Sequence, residues 1–232
     1  NDDVIVATPY KSGTTWTLEI VRQLIFLGQE APPFKELWVD ARFRPIEGMA
    51  ELEAQQHRRY IKTHLALDGL PFHPQVKYIV VGRDARDVFM SLWNHYKNFK
   101  DDSYPFLNSI PDRVGEPLPV CPEDIHVFWH DWITRGSFAW ESEGYPFWGN
   151  LHHLQSWWEY RQLDNVLFVH FNDLLANLPE EIQRIANFLE IDVPSEALPQ
   201  LLQALTLDAM RNDHGKHSAD NYQVFKERAK SF

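Results

Sequence analysis

The sequence predicts an α/β fold: a three-layer, P-loop-like parallel sheet flanked by helices. Three observations predict it. Short apolar, β-rich runs alternate with longer stretches whose apolar residues recur at helical spacing. The first run passes at once into a polar, glycine-containing loop that opens a helix, the start of a phosphate-binding βα unit. The chain has 232 residues, enough to cover a parallel sheet on both faces within one domain.

The elements follow in order. Val4 to Ala7 is apolar and lies between Asp2-Asp3 and Pro9, so it reads as a buried strand. Lys11-Ser-Gly-Thr-Thr15 is a loop. Trp16, Leu18, Ile20, Val21, Leu24, Ile25 and Leu27 then keep helical spacing up to a stop at Gly28. The Pro-rich stretch 31–45 reads as loop. Strands are expected at Tyr60–Lys62 and Lys77–Val81, and a helix at Asp84–Phe99. Asp101 to Pro122 carries many prolines and reads as loop. Helices are expected at Pro122–Trp140 and Trp148–Arg161, and a strand at Asn165–Val169. Two more helices close the pattern, Leu178–Glu190 with Pro179 in its first turn, and Ser195–Ala204. Neither an internal repeat nor a linker is visible.

Composition narrows the partners. Lys plus Arg is 22 against 33 Asp plus Glu, a formal net charge of −11. Gripping a polynucleotide requires a basic face, so nucleic acid is not an expected partner. A few cations can still form a local site for a small anion. The single cysteine, Cys121, permits no intrachain disulfide, which fits a reducing, cytoplasmic setting. No run of about 18 apolar residues occurs, so no transmembrane segment is expected, and no signal peptide is visible. His126 and His130 stand at i and i+4, a metal-compatible spacing, but no third ligand follows at a fitting distance. No metal is expected.

The loop Thr8-Pro-Tyr-Lys-Ser-Gly-Thr-Thr-Trp16 holds the first chemistry. Gly13 permits a tight turn, and the amides of Gly13, Thr14 and Thr15 sit where unpaired N–H groups and the helix dipole favour an anion. Ser12, the two threonine hydroxyls and Lys11 add donors and charge. The loop is not a Walker A motif, whose lysine follows the second glycine; here Lys11 precedes Gly13. Ser, Thr and Gly also begin helices everywhere, so a plain helix cap remains open on these residues alone.

This loop resembles the 5′-phosphosulfate loop of the cytosolic-type sulfotransferases, which use 3′-phosphoadenosine-5′-phosphosulfate (PAPS). Their T-Y-P-K-S-G-T-T-W differs from T-P-Y-K-S-G-T-T-W only in the exchanged Tyr and Pro. Two further segments match. Tyr60-Ile-Lys-Thr-His-Leu65 is similar to the family's K-T-H-L, whose histidine is the catalytic base; this implies that role for His64, in keeping with an imidazole that titrates near neutrality. Val80-Val-Gly-Arg-Asp-Ala-Arg-Asp-Val-Phe-Met-Ser91 resembles the 3′-phosphate motif, which implies that Arg83 and Ser91 hold that phosphate. An arginine fork suits phosphate oxygens, and Arg83 would emerge at the C-terminal edge of a strand, where open α/β sheets bind ligands. The resemblance also places Trp16 against adenine. It puts Phe171 where the family has an adenine-contacting Tyr, and Thr206 and Leu207 in a later adenine-side segment. It runs from Val4 to about Met210. The family's late R-K-G-x-x-G-D-W-K clamp would begin about where Lys230-Ser-Phe232 ends the chain. The expectation is therefore one sulfotransferase domain over 1–232 lacking that clamp.

The mechanism implied is an in-line displacement at sulfur that passes the sulfuryl group to a hydroxyl or amine of a small acceptor and leaves PAP. Lys11 would neutralise charge on the bridging oxygen, Lys62 would assist at the sulfuryl oxygens, and His64 would deprotonate the acceptor. Two other readings stand beside it: an ATP-dependent P-loop phosphotransferase, which the position of Lys11 disfavours, and a non-catalytic PAP-binding module. Acceptor identity and oligomeric state are not legible.

Overall fold

A computed structural model describes residues 2–30, 32, 38, 40, 49–109, 113–217 and 224–227. Its centre is a four-stranded, all-parallel sheet built from β1 (Val4–Ala7), β2 (Tyr60–Thr63), β3 (Lys77–Gly82) and β4 (Val166–His170), in the order β2-β1-β3-β4. Ala7 is level with Thr63 on one side and Val80 on the other, and Gly82 is level with His170. The loops leaving all four strands therefore rise from one edge. The chain goes from β1 to one neighbour and returns to the other, so the crevice that such sheets use for ligands opens beside the end of β1.

Side-chain alternation explains why these runs became buried parallel strands. Ile79 and Val81 face a core shared with Val4, Val6, Trp16, Ile20 and Ile182. Tyr78 and Val80 face the opposite core, with Ala7, Leu67 and Trp157. Each fully buried aliphatic side chain of this kind contributes roughly 1.5–3 kcal/mol. Helices α1 (Thr14–Ile25), α8 (Leu178–Phe188) and α9 (Leu198–Leu205) cover the first face, and α6 (Asn150–Trp158) covers the second. These are the three layers expected from the sequence. A third cluster joins α3 (Ala85–Lys97), α4 (Ser103–Asn108) and α5 (Ile125–Thr134) around Phe89, Tyr96 and Phe128. Among the described residues no helix is long and apolar enough to cross a membrane.

The differences from the sequence reading have local causes. Residues 101–122 were expected to be loop, yet α4 forms inside them. Its Pro105 occupies the first turn, where a missing N–H costs nothing. Helix α5 stops at Thr134, well short of Trp140, because the chain folds back at Gly136, where a Cβ would lie 2.4 Å from the Glu141 carbonyl oxygen. The short α2 (Met49–Ala54) and α7 (Phe171–Ala176), and α10 (Leu207–His217), were not expected. Of the Pro-rich stretch 31–45, only residues 32, 38 and 40 are described.

Candidate active site

The β1–α1 loop is shaped by two residues in the left-handed region, Lys11 at φ 60° and Gly13 at φ 99°. Holding a non-glycine residue there costs roughly 1–2 kcal/mol, so the rest of the fold must support that turn. Gly13 is the N-cap of α1 and, having no side chain, supplies no cap of its own; first-turn N–H groups have no carbonyl partner within a helix. Packing enforces glycine as well: a Cβ at position 13 would stand 2.7 Å from Phe171 Cδ2.

Arg83 leaves β3 and turns back onto this loop. Its Nη1 donates to the Lys11 carbonyl at 2.9 Å, and its guanidinium lies 4.2 Å from the centre of the Phe171 ring. Burial lowers the guanidinium pKa, with Asp87 and Asp84 opposing the shift. Two buried donors stand on either side of the turn. Ser12 Oγ and Arg83 Nε meet no hydrogen-bond partner among the described residues. Buried donors are almost always paired, so this pair at the start of a helix fits an oxyanion such as a phosphate or phosphosulfate.

His64 follows β2 and is buried against the end of β1. Its Nδ1 lies 2.7 Å from the Thr8 carbonyl oxygen. A carbonyl can only accept, so Nδ1 carries the proton and the lone pair is at Nε2. That is the tautomer a base requires. Tyr10 stacks on the imidazole at 4.3 Å, and Trp38 meets it edge-on at 5.3 Å. Lys62 Nζ lies 4.5 Å from the Trp38 ring centre, so the lysine and histidine of the K-T-H-L segment share one aromatic wall.

Sequence reasoning missed Asp40. Its Oδ2 accepts from Thr63 Oγ1 at 2.5 Å, His64 N at 3.1 Å and Leu65 N at 3.3 Å. Burial pushes its carboxyl pKa up, against the Thr63 and His64 hydrogen bonds and nearby Lys62. Nothing at position 40 signalled this role, because its partners lie 23 to 25 residues further on. Tyr10 was missed as a base-packing residue, although it is half of the Tyr–Pro exchange in the loop.

The other sequence-predicted residues divide into two groups. Thr14 begins α1 and joins the loop to the base side, its Oγ1 2.5 Å from Thr8 Oγ1, and Thr15 is the next residue of that helix. Trp16 is 2 % exposed; it meets Phe171 edge-on at 5.6 Å and donates from Nε1 to the Leu205 carbonyl at 2.7 Å. That bond brings the α9–α10 junction, with Thr206 and Leu207, beside Trp16. Thr206 itself caps α10 by accepting from Ala209 N. Ser91 lies within α3, the helix that follows Arg83, on the face of Asp87 and Val88. His126 and His130 gather no metal-binding group among the described residues.

The fold and site thus define a parallel α/β protein with buried, unpartnered donors at its β1–α1 turn beside a histidine oriented by a backbone carbonyl. The chain belongs to the sulfotransferase family: a family model described as a sulfotransferase domain matches residues 1–231. A glycolipid sulfotransferase of Mycobacterium bovis (strain BCG / Pasteur 1173P2) is 37% identical over 229 residues, covering 90% of this chain and 70% of that protein. Sulfotransferase 1B1 of Canis lupus familiaris is 28% identical, covering 91% and 67%. In fold, the chain is similar to mouse sulfotransferase SULT7A1 complexed with PAP, with a TM-score of 0.72 at 20% identity, covering 99% of this chain and 73% of that one. It is also similar to retinol dehydratase in complex with androsterone and PAP, at 0.71 and 22%, covering 97% and 71%. The reaction class is sulfuryl transfer.

Proposed function

We propose that the sulfuryl donor is PAPS, that the acceptor is a hydroxyl or amine of a small molecule, and that His64 is the general base. The observation that carries the donor assignment is the pair of buried, unpartnered donors, Ser12 Oγ and Arg83 Nε, at the left-handed turn that opens α1. When bound, PAPS supplies the activated sulfuryl group and a PAP leaving group. The amides of Gly13, Thr14 and Thr15, with Ser12 and Thr15 hydroxyls, hold the 5′-phosphate side. Arg83, with Ser91, selects the 3′-phosphate. Lys11 and Lys62 stabilise the negative charge that develops on oxygen during transfer. His64 Nε2 takes the acceptor proton, while the Thr8 carbonyl holds Nδ1–H and stabilises the imidazolium that forms. Trp16, Phe171, Thr206 and Leu207 bound the adenine side. The single cysteine supports a cytoplasmic setting.

A test needs two readouts on the intact protein. Thermal shifts with PAP and with ADP, each with and without Mg²⁺, report recognition of the 3′-phosphate; the expected result is a larger shift with PAP, independent of Mg²⁺. Equal shifts would overturn the donor assignment. Transfer from labelled PAPS by wild type and by His64→Ala then separates a catalyst from a PAP-binding module.

A further inference from the structure

A cleft of about 270 Å³ opens beside the base, lined in part by His64, Asp68, Trp140, Glu141, Trp148 and His152. Its construction is uneven in a way that points to a ligand class. One wall is aromatic. Trp140 stacks on Phe138 at 4.7 Å with planes 8° apart, and Phe138 stacks on Trp148 at 4.9 Å and 16°. The stack holds these rings rigidly, yet Trp140 remains 67 % exposed. A fixed, flat, exposed indole is a platform for the apolar face of another ring. Beside Leu65 and Ala66, the rest of the lining includes two fixed carboxylates. Asp68 Oδ2 pairs with His152 Nε2 at 3.0 Å. Glu141 accepts from Gly149 N at 2.9 Å and Ser137 N at 3.3 Å, which fixes its carboxylate and leaves a lone pair on each oxygen.

We propose that this cleft takes a glycosyl ring: a pyranose lying on Trp140, its hydroxyls donating to Asp68 and Glu141, with one hydroxyl presented to His64 Nε2. A sugar ring combines an apolar C–H face with equatorial donors, which matches an aromatic wall facing fixed carboxylates. A flat phenol or steroid would desolvate those carboxylates without pairing them, at roughly 1–3 kcal/mol for each group left unsatisfied. The volume agrees: about 270 Å³ falls just below the range of about 300–1,000 Å³ usual for ligand sites and suits one ring better than a fused polycycle. The inference rests on the assignment of His64 as the base, which fixes the cleft as the acceptor side.

The test is saturation-transfer NMR of the PAP-loaded intact protein with methyl glycosides of glucose, galactose and mannose, using 2-naphthol and benzylamine as comparison probes. At least one glycoside is expected to bind, with its ring protons saturated. Trp140→Ala is expected to weaken that binding at least fivefold, and Trp140→Phe, which keeps a ring, to stay within about twofold of wild type. Trp140 is exposed, so folding should survive, and a melting curve on each variant checks it. Binding of naphthol or benzylamine without any glycoside would overturn the proposal, as would a Trp140→Ala variant that binds glycoside like wild type. Glycoside binding without sulfuryl transfer from PAPS would leave this cleft assignment standing and break the catalytic one. Transfer to naphthol or benzylamine with no glycoside bound would do the reverse.

Discussion

The two halves of the site are built by different means. The proposed donor half, around residues 8–16 and 83, uses backbone: a left-handed turn at a helix start and an arginine folded onto a carbonyl. The proposed acceptor half, around residues 64–69 and 136–152, uses side chains brought from separate loops and fixed by stacking and by carboxylate-to-amide bonds. Glu143 shows the second method clearly. It accepts from the amides of Asn150, Leu151 and His152 and so ties the returning loop to the start of α6. Amide geometry does not depend on side-chain identity, whereas a side-chain wall changes with each substitution. A fold of this kind can keep its donor and vary its acceptor.

The largest effect expected belongs to the junction of the halves. His64→Ala should lower the transfer rate about 10²- to 10⁴-fold while the PAP-induced thermal shift persists; loss of both together would mean that the two halves are not separable. Arg83→Ala tests the donor half alone. Loss of a charge-assisted hydrogen bond costs about 1.5–3 kcal/mol, so PAP affinity measured by calorimetry should fall roughly tenfold to a hundredfold, and ADP affinity much less.

The acceptor half should carry its own acid sensitivity. His153 is completely buried in α6, and desolvation, with a smaller contribution from the charge of neighbouring His152, pushes its imidazole down to about 3. The neutral form is thus favoured by folding. Its stabilising effect is complete above the unfolded pKa near 6.5 and is lost as pH falls from there toward 3. Between pH 7 and pH 5 the unfolding free energy should drop by about 2 kcal/mol from this group, read by urea titration at both pH values. His153→Phe should flatten that drop.

Smaller effects probe the loop and the base support. Gly13→Ala places a Cβ at a left-handed φ and against Phe171, a cost of about 1–2 kcal/mol and a fall in melting temperature of roughly 2–8 °C. Asp40→Asn weakens the acceptor that gathers Thr63, His64 and Leu65. It should lower kcat by roughly fivefold, about 1 kcal/mol, without changing KM for PAPS, and should add little to His64→Ala in the double variant. An additive loss would show that Asp40 acts independently of His64.

Much of this was legible beforehand, and the reason lies in chain proximity. The strands at Val4–Ala7 and Lys77–Gly82, the turn at Gly13 and helix α1 arise from neighbouring residues, so propensity and period suffice to place them. Lys11 to Trp16 is one contiguous segment, and its chemistry travels with its order. The sequence by itself therefore determined the parallel α/β architecture, the family to which the chain belongs and the glycine turn that opens α1.

Tertiary structure decided the rest. Which nitrogen of His64 holds the proton depends on the Thr8 carbonyl, 56 residues away. Asp40 matters only because β2 ends beside it. Helix α4 formed in a stretch that its prolines marked as loop, because Tyr104 and Leu107 found a core with Tyr96 and Phe128. The Trp140 platform exists because Gly136 reverses the chain and Phe138 slots between two tryptophans. Such contacts join residues far apart in the chain, and only the packed fold, which gains by burying their surfaces, brings them within reach.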